Sequence, residues 1–234
     1  MENSYNSFYH LQIAKCGGTY LNNMIIHQLF NILKNNNISY IDGEHHLGWK
    51  EIEDNYVVSS LRDPVKRTVS HYAYWKNGGQ AGPIPKNIPS FMVWVERNKD
   101  FISNYQIKNF LYQRKNFHLN PFDPRGVDPD FLTIKIDKDL AFDRIKRVNI
   151  LLKDTQLNYQ TCNKIMEKIL KDFNIKNSFY IDNKKKYDHN ITKGSIELYS
   201  SLTKQDIDYL YNLNNLDSEI YFSQSVYASI EDFK

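Results

Sequence analysis

The chain alternates short strand-like runs with segments whose apolar positions recur at helical spacing. Phe8 to Ala14 reads as a strand. Leu21, Met24, Ile25, Leu29 and Ile32 then predict a helix from Tyr20 to about Lys34, ended by Asn35-Asn36-Asn37. Ile38 to Ile41 reads as a short strand and Tyr56 to Leu61 (YVVSSL) as a buried one. Asp63 stands as an N-cap with Pro64 at the first helical position, opening a helix that carries Val65, Val69, Tyr72 and Trp75. Gly78 to Pro89 and Asn116 to Pro129 read as loops, and Ser90 to Asn98 and Phe101 to Tyr112 as helices. Phe131 to Ile136 and Val148 to Leu152 read as strands around a short helix near Leu140 to Arg147. The rest predicts helices over Tyr159 to Phe173, Ser195 to Leu202, Thr203 to Leu213 and Ser218 to Ile230. Strands interleaved with helices predict an α/β fold: a central parallel sheet flanked by helices, with a mostly helical C-terminal third covering one side. No repeat, composition shift or linker divides the chain, which predicts a single domain over residues 1–234.

Composition narrows the function classes. With 41% hydrophobic and 24% charged residues, the chain can bury a core, which excludes global disorder. No run approaches the ~20 apolar residues of a membrane span, so no integral membrane segment is expected. The polar start, Met1 to Ser7, carries no export signal. Cys16 and Cys162 are the only cysteines, too few for a disulfide framework, and a cytoplasmic location is the expectation. Lys plus Arg 30 against Asp plus Glu 27 leaves +3, which does not argue for nucleic acid but permits a local anion site.

Two segments carry chemistry. Lys15-Cys16-Gly17-Gly18-Thr19 lies between a strand and a helix, where glycines allow close backbone approach and the helix start offers unpaired N–H groups to an anion. The lysine precedes the glycines, unlike the G-x-x-x-x-G-K-[ST] arrangement of nucleotide-hydrolysing loops. Leu61-Arg62-Asp63-Pro64-Val65-Lys66-Arg67 also joins a strand to a helix, with Ser70 inside that helix. Arg62 at a strand's C-terminal end suits bidentate capture of a phosphate in the ligand crevice of an open α/β sheet, and Ser70 offers a hydroxyl to the same group.

Together, HLQIAKCGGTYL and VVSSLRDPVKRTVSHY resemble the sulfotransferases that use 3′-phosphoadenosine 5′-phosphosulfate, especially the branch of heparan sulfate 6-O-sulfotransferases and related bacterial carbohydrate sulfotransferases. The resemblance implies a P-loop-NTPase-like sulfotransferase fold. It also implies that Lys15, Cys16, Gly17, Gly18, Thr19 and Tyr20 bind the 5′-phosphosulfate, and that Arg62 and Ser70 bind the 3′-phosphate. His189-Asn190-Ile191-Thr192-Lys193 is similar to the family's cofactor-covering loop, which makes Thr192 and Lys193 further binding residues. Val148 to Asp154 and Asp217 to Tyr221 echo its late strand and C-terminal helices. The family's usual Pro, Thr and Ser stand here as Ala14, Cys16 and Tyr20.

Transfer of a sulfuryl group to an alcohol needs a base, and a histidine with a pKa near 6.5 can take the hydroxyl proton. In the resembled family the base is a histidine between the two motifs, and one branch has it three residues before a tryptophan. That picks His46 before Trp49, with His45 in reserve. Glu44 orients either histidine or is itself the base. Lys15 stabilises charge on the leaving group, adenosine 3′,5′-bisphosphate. Glu44, Trp49, Tyr74 and Trp75 are candidates for the acceptor, a glycan or glycolipid whose sugar faces suit aromatic rings. No metal is expected, since zinc-type histidine spacing is absent. Three rivals share part of this pattern: a magnesium-dependent nucleotide phosphotransferase, a thiol enzyme using Cys16, and a non-catalytic nucleotide- or glycan-binding protein.

Overall fold

The computed structural model describes residues 5–41, 49, 54–79, 84–112, 128–176 and 192–223. Its core is one four-stranded sheet in the order β2-β1-β3-β4, built from β1 (Ser7–Leu11), β2 (Ser39–Ile41), β3 (Tyr56–Leu61) and β4 (Ile150–Lys153). All three ladders are parallel, with Phe8 opposite Tyr56 and Val58 opposite Ile150. Every residue of β3 is buried, as a central parallel strand requires.

Successive strand residues feed opposite faces. Phe8, Val58, Ile150 and Leu152 join a core with the helical run from Gly18 to Asn35 and the helix Tyr159–Asp172. Tyr9, Val57, Leu61 and Leu151 point the other way, onto helices Pro64–Lys76, Phe91–Arg97, Tyr105–Leu111, Lys138–Lys146, Lys204–Leu213 and Asn215–Phe222. The C-terminal helices therefore divide between the two faces instead of covering one. Amphipathic Tyr159–Asp172 finds its apolar partners beside the Gly18–Asn35 run, while Leu210, Ile220 and Tyr221 find theirs on the far side. Among the described residues no helix is long and apolar enough to cross a membrane.

Local chemistry explains most boundaries. Asp63 accepts from the Lys66 N–H (2.9 Å) and Pro64 follows it, so Pro64–Lys76 starts where the capping pattern predicts. β1 ends at Leu11 because the chain turns, with Cys16 N–H donating to the Ile13 carbonyl (3.2 Å). The strand expected over Phe131 to Ile136 is instead the short helix Pro129–Leu132 followed by irregular chain. Asp128 and Pro129 supply a cap and a first helical residue, and tertiary packing buries Phe131 against Tyr105 (5.3 Å). The single helix expected over Phe101 to Tyr112 is two pieces, Lys99–Ile102 and Tyr105–Leu111. Asn104 breaks it at φ 45° and turns its side-chain oxygen to the N–H groups of Leu216 and Asp217. The last expected helix is Asn215–Phe222, and the positions predicted beyond Ser223 lie outside the described residues.

The carboxylate of Asp217 returns this favour. It accepts from Gln106 N–H (2.9 Å) and Ile107 N–H (2.8 Å), capping Tyr105–Leu111 from another helix. Burial raises its pKa to about 6, against the opposing pull of those two N–H groups. A folded value above the ordinary one means that this group favours folding most at low pH, and its share is lost as pH rises through about 6. Asp217→Ala is expected to lower the stability seen in urea unfolding at pH 7 by about 2–4 kcal/mol, the scale of two orphaned buried donors. Asp217→Asn is expected to flatten the stability-against-pH curve between about pH 4 and pH 6.

Candidate functional site

The strand order changes direction between β1 and β3, and at such a point the two outgoing connections part and open a crevice beyond the strand ends. Both sequence motifs leave the sheet here. Lys15 takes a left-handed conformation (φ 67°) and Gly17 another (φ 90°), which folds the loop back under the start of the helical run at Gly18. Ser60 Oγ donates to the Cys16 carbonyl at 2.6 Å and fastens the loop to β3.

The glycines are required from behind. A Cβ on Gly17 would stand 2.4 Å from Leu157 Cδ1, and one on Gly18 would stand 2.5 Å from Gln12 Cγ. Gln12 is itself held by Asn22 Nδ2 (3.0 Å), and Asn22 Oδ1 meets His10 Nδ1 at 2.7 Å. Asn22 opens a π-helical stretch, Asn22–Ile26, inside the helical run. This packing leaves the first-turn N–H groups of Gly18 and Thr19 without intrahelical carbonyls, at the positive end of the helix.

Lys15 and Arg62 lie side by side. Arg62 Nη1 donates to the Lys15 carbonyl at 3.2 Å, and Arg62 Nε faces Asp154 Oδ2 at 3.2 Å. The Lys15 ammonium sits 4.3 Å from the centre of the Tyr74 ring. Burial, with Arg62 adding like-charge repulsion, lowers the Lys15 pKa to about 8. Ser70, fully inside the Pro64–Lys76 helix, meets Thr192 hydroxyl to hydroxyl at 3.2 Å across 122 residues of chain. The next exposed turn of that helix gives Asn77 Nδ2 to the Lys193 carbonyl (3.3 Å). The structure thus brings Lys15 together with Arg62, and Ser70 with Thr192, while the Lys193 carbonyl is held by Asn77.

Other candidates stand elsewhere. Thr19 is exposed at the loop, whereas Tyr20 packs into the core beside Leu21 and Met24, turned inward by the helix that carries it. Trp49, expected on the acceptor side, is buried: its ring packs 6.3 Å from Phe110, and its backbone N–H donates to the Tyr112 carbonyl. Trp75 leans on Tyr72 and Trp94 at the rim of the same core. Tyr74, expected to meet a sugar, supports Lys15. His45, His46 and Glu44 lie outside the described residues, as do His189, Asn190 and Ile191.

Gln106 is a site residue that the sequence pattern hides. Its Oε1 accepts from Arg62 N–H (2.9 Å), its Nε2 donates to the Arg62 carbonyl (2.8 Å), and Cys16 Sγ reaches the same Oε1 at 3.2 Å. Asp154 and Tyr221 are two more, joined to each other at 3.2 Å. Gln106 shares the run Tyr105 to Phe110 with polar Lys108 and Asn109, so no local signal marks it. The acidic end of ILLKD is the signal for Asp154.

The Cys16 thiol is fully buried, and burial pushes its pKa to about 12, so the thiolate that a nucleophile requires is suppressed. Among the described residues no group of three or more His, Cys, Asp or Glu converges as a metal site. Compared with protein-family models, curated proteins and solved structures, the chain matches none. Because Cys16 and Cys162 are both buried with thiols raised to about 12, neither is expected to react with a thiol-specific reagent in the folded chain at pH 8. Both should label once denaturant is added, and mass spectrometry of the two samples checks this.

Proposed function

We propose that the chain is a sulfotransferase of the type that uses 3′-phosphoadenosine 5′-phosphosulfate, with the P-loop-like fold of that family and a carbohydrate hydroxyl as acceptor. The observation that carries the reading is the adjacency of Lys15 and Arg62 at one switch-point crevice, linked at 3.2 Å. Two cations with different geometry meet there: a point charge that can follow a moving anion, and a planar donor suited to phosphate. The helix start at Gly18 adds neutral N–H donors, and the Ser70–Thr192 pair adds hydroxyls along the neighbouring helix. This donor set fits an elongated nucleotide carrying two separate oxyanions.

In the reaction so proposed, the acceptor oxygen bonds to sulfur while the sulfur–oxygen bond to the nucleotide phosphate breaks. The acceptor proton passes to a base, for which His46 is the candidate from the family resemblance. Lys15 and the loop N–H groups stabilise the charge that collects on the departing phosphate. Asp63 is occupied as a helix cap and by the Tyr211 hydroxyl (2.7 Å), and Asp154 by Arg62. Among the described residues, these two carboxylates beside the motifs already have partners, which favours this reading over magnesium-dependent phosphate transfer.

Adenosine 3′,5′-bisphosphate is expected to raise the melting temperature selectively over ATP, ADP and AMP, with or without EDTA, by mass action on the folded state. Arg62→Ala should reduce the shift. Equal shifts with ATP, or a shift that EDTA removes, would favour the phosphotransferase. Binding should also weaken as pH rises, because the free chain loses the Lys15 proton near pH 8 and the bound anion must restore it. Titration calorimetry is expected to give about tenfold lower affinity at pH 9 than at pH 7. Lys15→Arg, charged throughout that window, should remove this dependence.

A further inference from the structure

Asp154 ends β4 and holds two partners with its two oxygens. Oδ2 faces Arg62 Nε at 3.2 Å, and Oδ1 accepts from the Tyr221 hydroxyl at 3.2 Å. Tyr221 is a buried member of the core, so the carboxylate is fastened to a rigid body. Arg62 is tied at further points: Nη1 to the Lys15 carbonyl, and its own N–H and C=O to Gln106. Among the described residues, Nη2 takes no protein partner, and the side chain keeps 28% of its surface exposed. A carboxylate that merely competed for this guanidinium would be expected to take two of its nitrogens side by side. Asp154 instead pairs with it through charge, since Nε makes no hydrogen bond among the described residues, and Nη2 stays open there.

We infer that Asp154, anchored by Tyr221, is a positioning residue for oxyanion binding: its charge holds the Arg62 guanidinium in place so that Nη2 meets an anion in the crevice. The inference rests on the proposed reading of that crevice as an oxyanion site, and it assigns a role to a residue that the reading leaves unused. It predicts a sign opposite to that of simple electrostatics. Removing a negative charge beside an anion site should tighten binding, whereas releasing a clamped arginine should weaken it.

The test is a double-mutant cycle by titration calorimetry on the full chain, with pyrophosphate and adenosine 3′,5′-bisphosphate as separate probes. Asp154→Asn is expected to weaken both on the order of tenfold, the scale of one hydrogen bond to a charged group. Tyr221→Phe, which keeps the packed ring, should weaken them less and in the same direction. In an Arg62→Ala background, Asp154→Asn should add less than about twofold, since its effect runs through Arg62. Nitrogen-15 NMR of the ligand-free chain supplies a second readout. The Arg62 Nε relaxation should report an ordered guanidinium in the wild type and a mobile one in Asp154→Asn, at an unchanged circular dichroism spectrum. Unchanged or tighter binding in Asp154→Asn, or losses that multiply with Arg62→Ala, would overturn the inference. If the wild type binds pyrophosphate but not the bisphosphate, the nucleotide reading fails and the clamp is judged on pyrophosphate. If it binds neither, both fall.

Discussion

The geometry of the crevice depends on one buried amide. Gln106 reads the backbone of Arg62 as a neighbouring strand would, accepting from its N–H and donating to its carbonyl. β3 has just ended there, so no ladder partner remains to satisfy those groups, and leaving them bare in the interior would be costly. The same side chain takes the Cys16 thiol, which ties the end of β3 to the loop leaving β1. Gln106 can do this because Asp217 caps the helix that carries it, and Asp217 in turn is set by Asn104. A chain of single, buried, charge-assisted or amide hydrogen bonds thus runs from the C-terminal helices to the two motif loops. It explains why the C-terminal helices must divide between the faces: some have to reach the motif side.

What was legible in the sequence was whatever depends on local periodicity and capping. β3, the cap at Asp63, the helix Tyr159–Asp172 and the parallel α/β character all follow from short-range pattern. The misread segments are those where a distant partner overrules the local signal. Phe131 sits in an apolar stretch that favours a strand, yet Asp128-Pro129 starts a helical turn and an aromatic cluster with Tyr105 and Tyr112 holds the ring. Asn104 interrupts an otherwise continuous helical pattern because its side chain is needed elsewhere. Gln106 and Tyr221 were invisible as site residues, and Asp154 was marked only by the acidic end of its strand, because their roles exist only once β3, β4 and the last helix meet. No local spacing encodes that meeting.

The glycine loop illustrates how a motif can be located from sequence while its reason is not. In the sequence, Gly17 and Gly18 read as openings toward a ligand. In the fold their missing side chains are demanded by Leu157 and Gln12 on the protein side. The two reasons are compatible. A loop pressed tightly against β3 and the helix behind it has its amide groups fixed before any anion arrives, and fixed donors need no reorganisation on binding. The left-handed turn at Lys15 belongs to the same economy of motion, because Arg62 holds that carbonyl in place.

The two cations of the crevice are held in opposite ways, and the difference matters for an anion whose charge moves. Arg62 is anchored at its backbone and at Nη1, with Asp154 ion-paired beside Nε, so it is the more fixed of the two. Lys15 has its ammonium resting on an aromatic face, largely out of water, with a proton held only to about pH 8. A cation so poorly solvated gains more from an approaching oxyanion than a hydrated surface lysine would, since its desolvation is already spent. Its attraction to a localised negative charge therefore exceeds its attraction to a diffuse one. In the proposed transfer, charge collecting on a departing phosphate oxygen would be such a localised charge, and Lys15 would be the mobile group beside it. A surface lysine at this loop would bind anions, but it would discriminate less between an anion at rest and one on which charge is growing.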